Sequence, residues 1–180
     1  MRVYLNSPHC QNTTCYQLLP LSSYFVHPRM ALYSLITMCE LSINVCSLQG
    51  EFEGQTEINI SGTSADFLNF SYCLTEFPTK GFSLTQRPNT YCTTSLYHLS
   101  LELIEQSNQL VTMQVEGAGF KITGDSEAFQ KLSSFLESLS SLSPGEHWHL
   151  DWFADKDLLA PATATLSFIF SVLTEDRSRV

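Results

Sequence analysis

Charge is scarce in this sequence. Asp, Glu, Lys and Arg make up 15% of its 180 residues, and eighteen acids stand against nine bases, for a net charge of −9. A nucleic-acid binder needs a cationic footprint, which this balance excludes; an acidic protein suits a basic partner. Long apolar runs are missing too. None approaches the roughly 18 residues of a membrane span. Eight Gly and seven Pro are too few for collagen-like or linker composition, and a hydrophobic share of 43% excludes a disordered chain. Also absent are G-x-S-x-G, H-E-x-x-H and the glycine loops that cradle nucleotides. Gly117-Ala118-Gly119 lies between two strand-like runs and reads as a hairpin turn. What remains is a chain of single-domain length, able to bury roughly 70% of its unfolded surface without covalent staples.

The acids are unevenly placed. Residues 1–39 hold none, only Arg2 and Arg29; from Glu40 onward eighteen acids meet seven bases. The first segment also lacks any period of 2 or 3.6, and no basic region leads an apolar core and cleavage site as in a targeting peptide. Residues 1–39 are therefore expected to stand outside the fold, as an arm or as sequence upstream of a start at Met30 or Met38. Residues 40–174 are expected to form a single domain.

No cysteine pair has C-x-x-C spacing. Cys10 and Cys15, beside His9, fall within zinc-ligand spacing, but no second pair follows at a zinc-finger interval. The expectation is six free thiols in a reducing compartment. Cys73, on a helix beside Leu74, reads as core filler rather than nucleophile.

A pattern is written twice. Glu57-Ile-Asn-Ile-Ser-Gly62 matches Gly119-Phe-Lys-Ile-Thr-Gly124 at a shift of 62 positions. Thr63 then falls on Asp125, each a good N-cap, and Phe67, Phe70 and Leu74 fall on Phe129, Leu132 and Leu136, one face of an amphipathic helix. Thr63 and Asp66 also fit a capping box. An alternating run precedes each unit (Ile43 and Val45; Val111, Met113 and Val115), and two more follow it. The predicted fold is α+β, a mostly antiparallel sheet covered on one face by two helices, with β-β-α-β-β units over about 40–105 and 109–173.

The chemically richest stretch is Gly145-Glu-His-Trp-His-Leu-Asp-Trp152. On a strand, His147, His149 and Asp151 share one face, and Trp148, Leu150 and Trp152 the other. Two imidazoles and a carboxylate so spaced could begin a metal site, with His98 as a third imidazole. The run also resembles the H-x-H-x-D-H motif of metallo-β-lactamases, but the closing position is Trp152 and no His follows His149. A small metal-dependent enzyme using His147, His149 and Asp151 is thus one reading. The others are a hydrogen-bonded polar sheet face and a partner-binding patch edged with aromatics. Trp148, Leu150 and Trp152 are expected to be buried against the helices, since exposed they would form a large apolar patch.

The succession Phe120-Lys-Ile-Thr-Gly124, Asp125 to Phe129, Leu132, Leu136 and Leu139, then Gly145 to Trp152, Leu159 and Leu166-Ser-Phe-Ile-Phe170 resembles the immunity protein 32 family of bacterial polymorphic toxin systems. The match spans roughly residues 109–173, with the first half as a degenerate copy that lacks the His-x-His strand. The resemblance implies a cytoplasmic, non-catalytic protein without cofactor that binds and neutralises a cognate protein toxin. His147, His149 and Asp151 would be its partner-binding residues. The acidic balance fits a basic toxin, since opposite charge speeds capture.

Overall fold

The computed structural model describes residues 40–47, 56–87 and 89–175. The expected extension 1–39, with Cys10, Cys15 and Cys39, lies outside them. Strands β1 (Ser42–Ser47) and β2 (Thr56–Gly62) lead into helix α1 (Ser64–Glu76). β3 (Gly81–Ser83), β4 (Thr94–Ser95) and β5 (His98–Leu103) follow. The second half runs β6 (Thr112–Glu116), β7 (Gly119–Gly124), helix α2 (Ser126–Leu139), β8 (His147–Asp151), a 3-10 turn at Pro161–Thr163 and β9 (Leu166–Val172). Among the described residues no helix is long and apolar enough to cross a membrane.

The class is α+β, with strands predominating and two helices among the described residues. The strands divide between two mixed sheets, ordered β4-β1-β2-β9-β8 and β3-β5-β7-β6. The hairpins legible in the sequence are antiparallel: β1 with β2, β6 with β7, β8 with β9. The central pairs are parallel and join the two halves of the chain, β2 to β9 and β7 to β5. Each sheet thus takes its first hairpin from one half and its last pair from the other. Ile60 sits between Ile43 and Phe170, and Ile122 between Met113 and Leu101. Local periodicity shows that these residues face inward but not which distant strand they meet, so a single sheet was the simpler expectation.

Both stretches set 62 positions apart form a strand running into a capped helix. The Thr63 hydroxyl accepts from the Asp66 amide while the Asp66 carboxylate accepts from the Thr63 amide, a complete capping box. Asp125 caps α2 through the Ala128 amide. Each strand ends in glycine because it meets the first helical turn at close range. A Cβ on Gly62 would lie 3.0 Å from Asp66 Cβ, and 2.7 Å from Leu41 Cδ2 ahead of β1; one on Gly124 would lie 3.0 Å from Ala128 Cβ and 3.2 Å from the Phe129 ring. The helices cross at small residues, where the Ser133 hydroxyl donates to the Ser71 carbonyl at 3.1 Å.

One hydrophobic core serves both sheets and both helices. Its members include Ile58 and Phe168 from the first sheet, Phe120 and Ile122 from the second, and Phe67, Phe129, Leu132 and Leu136 from the helices. Phe120 and Phe168 meet edge-on across the sheets at 6.1 Å.

The cysteines depart from expectation. Cys46 and Cys92 form a disulfide. β4 pairs with β1, and the Thr93 amide bonds the Val45 carbonyl, so residues 46 positions apart become neighbours. Nothing in their spacing advertises this. Cys73 is the expected core filler: it is buried, and burial pushes its thiol up to about 11, against a smaller opposing pull from Lys80.

Candidate functional site

The chain enters β8 through Pro144-Gly145. Gly145 has φ +92°, and its amide donates to the Val172 carbonyl while the Val172 amide donates to the Glu146 carbonyl. That is a glycine bulge, two residues opposite one. Glu146 Oε2 closes the preceding turn by accepting from the Ser143 amide at 2.6 Å. At the far end the Asp155 carboxylate accepts from the Asp151 amide at 3.1 Å, and the Asp151 carbonyl accepts from the amides of Ala154 and Asp155.

β8 is the edge strand of its sheet, and this decides how its two faces are used. His147 and His149 are exposed on one face, their rings 5.2 Å apart and steeply tilted. Their cross-strand neighbours on β9 are Ser171 and Ile169. Among the described residues neither ring has a hydrogen-bond partner, so of the readings left open the hydrogen-bonded polar face is not realised at the two histidines. Asp151 is half-buried at the end of that face, opposite Ser167.

The other face corrects an expectation. Leu150 is buried, as alternation requires, and Trp152 is partly buried against the core. Trp148 is not enclosed: it is 49% exposed. It lies edge-on to Phe135 of α2 at 6.5 Å, and Phe135 in turn touches Phe170 at 5.1 Å. A side chain on an edge strand has a covering neighbour on one flank only, so the helix shelters one side of the indole and water reaches the other. Beyond β8, Phe153 is exposed and packs on Trp152, over which Lys156 Nζ sits at 5.1 Å. The site is therefore an imidazole pair and a half-open indole on one edge strand, rimmed by Glu146, Asp151 and Asp155.

His98 is elsewhere. It lies on β5 in the other sheet, with its ring over Gly119. The structure does not bring it to His147, His149 and Asp151, and among the described residues no three His, Cys, Asp or Glu side chains group as metal ligands would. Of the surface hollows, one of about 390 Å³ is lined by Ser64, Pro144, Leu173, Thr174 and Glu175 and gathers no convergent set of polar groups. The sequence reading missed Asp155, which closes the end of the strand, and Phe135, which carries the indole. The four-residue spacing of Asp151 and Asp155 is a turn signal that could have flagged the first.

A second charged cluster is structural. The Asp125 carboxylate accepts from the amides of Ala128, Gln109 and Ser107, and holds a loop in which Asn108 and Gln109 both have positive φ. The amides of Ala128 and Gln109, in that order, hold its carboxyl well below the usual carboxylate range, with Ser107 helping and desolvation opposing.

No family model, no curated protein and no solved structure matches the chain.

Proposed function

We propose that this chain is an immunity-type protein: it binds a cognate, basic protein toxin through the β8 surface and blocks it without turnover. The observation that carries this reading is the display on one edge strand of His147, Trp148 and His149, exposed and, among the described residues, without side-chain hydrogen bonds of their own. Aromatic groups with an apolar body and a polar tip are favoured at contact surfaces, and a site used only inside the fold would have them satisfied. The net charge of −9 supports a basic partner. The resemblance of residues 109–173 to an immunity family supports the same class.

The test is neutralisation. The toxin domain encoded beside this gene is expected to co-purify with the chain and lose its activity. His147→Ala with His149→Ala should weaken that binding while changing folding stability by no more than about 0.5 kcal/mol, as for exposed substitutions generally. Full neutralisation by the double variant would remove the histidines from the contact. The compartment is a separate matter. A cytoplasmic site of action would leave Cys46 and Cys92 as a facing thiol pair, and an oxidising one would join them. Peptide mapping of protein taken from its native cells under thiol-blocking conditions distinguishes the two.

A further inference from the structure

The backbone of β8 offers a second mode of contact, one that side-chain exposure does not reveal. In an antiparallel pair, residues alternate between those that exchange both main-chain hydrogen bonds with the partner strand and those whose amide and carbonyl point away. The bulge sets the phase. The Val172 amide bonds the Glu146 carbonyl, so 146 opposite 172 is a hydrogen-bonded position. With the register His147 to Ser171 and Trp148 to Phe170, Trp148 and Leu150 face β9 with their main chain, while His147, His149 and Asp151 turn theirs outward. The far end agrees, since the outward amide and carbonyl of Asp151 are the groups that Asp155 and Ala154 satisfy. What is left open is a window of two residues. The amides and carbonyls of His147 and His149 have no partner among the described residues.

Edges are ordinarily blunted by Lys, Pro or a bulge within the strand. The window has none of these; its bulge lies before it, at Gly145. Among the described residues, carboxylates stand at both ends, Glu146 at one and Asp151 and Asp155 at the other, and Lys156 is held over the Trp152 ring. We propose that this edge is a strand-addition site. An extended segment of a protein partner bearing Lys or Arg lies along β8, bonds the main chain of His147 and His149, and covers the open side of Trp148. The proposal rests on the partner-binding reading above and names its mode and the chemistry of the partner. A second copy of this chain is the poorer occupant, because its own β8 would bring the same carboxylates to the same place.

The test uses the isotopically labelled full chain and a short acetylated peptide of alternating Lys and Val. Three comparisons go with it: a Glu/Val peptide, the Lys/Val peptide N-methylated on its pairing edge, and the variant His149→Pro. The His149 amide takes no part in the β8–β9 ladder, so proline there leaves that ladder complete. The expected result is that the Lys/Val peptide shifts the His147 and His149 amide signals and slows their exchange about tenfold, consistent with pairing at a sheet edge. The N-methylated and Glu/Val peptides should do neither, and His149→Pro should bind none of them. Equal binding of the N-methylated peptide, preference for Glu/Val, or no binding of Lys/Val overturns the proposal. So does protection of both amides without peptide in a sample that sediments as a dimer. The two readings separate in the neutralisation assay. If His149→Pro neutralises the toxin as well as the parent, strand addition falls and the immunity reading stands. If the Lys/Val peptide adds to β8 but no toxin is bound, the immunity reading falls and the edge site stands.

Discussion

Trp148→Ala measures how far the indole belongs to the fold. A fully enclosed tryptophan withdraws up to about 250 Å² from water. At 49% exposure, Trp148 withdraws about half. At about 25 cal/mol per Å² this corresponds to at most about 3 kcal/mol, and the alanine Cβ with residual shelter in the unfolded chain lowers it to about 2. The edge contact with Phe135 lies within that figure or adds about 0.5 kcal/mol. No cavity cost follows, because the vacated space opens to solvent. Phe170→Ala is the reference. Phe170 is 1% exposed and packed between Phe67 and Phe135, so its loss should cost about 3–5 kcal/mol. Urea unfolding of both variants, with unchanged slope, gives the comparison. A Trp148→Ala loss equal to that of Phe170→Ala would mean that the indole is enclosed. A loss below about 0.5 kcal/mol would mean that it does not rest on Phe135 at all. Either result refutes the half-sheltered edge from which the contact surface is argued.

Three further outcomes test other parts of the fold. Cys46→Ser should destabilise the oxidised protein by about 4 kcal/mol, the chain-entropy value for a loop of this span, and should make stability insensitive to reductant; unchanged urea midpoints would show that the bond is not formed. Gly124→Ala should cost about 1–3 kcal/mol, because its Cβ would press on Ala128 and the Phe129 ring; a gain in thermal midpoint would show that the strand-to-helix approach can relax. Asp125 has its folded-state pKa lowered, so its contribution is present above the ordinary carboxylate range and disappears as pH falls through the folded value. Asp125→Asn should therefore be less stable than the parent at neutral pH, with the gap closing below about pH 4; a gap that persists to low pH would place the effect in the loop shape rather than in the charge.

Much of this protein is local and could be read from the chain. The Thr63 and Asp125 caps, the apolar faces of Phe67, Phe70 and Leu74 and of Phe129, Leu132 and Leu136, and the glycine before each helix all follow from short-range geometry. So does the alternation that sends His147 and His149 to one face of β8 and Leu150 to the other. Periods of 2 and 3.6 report which side of an element faces the core, and the side is set within a few residues. Periodicity carries no information about which strand, twenty or a hundred positions away, lies alongside. The pairing of Thr56 with Leu166 and of His98 with Gly119 makes two mixed sheets out of strands that look alike in isolation. The Cys46–Cys92 bond exists because β4 was brought beside β1. The position of β8 at the end of its sheet was likewise decided by tertiary structure. Alternation correctly puts Trp148 on the helix side with Leu150, yet only strand order determines that no further strand covers it, leaving the indole half-open and the main chain of His147 and His149 facing outward.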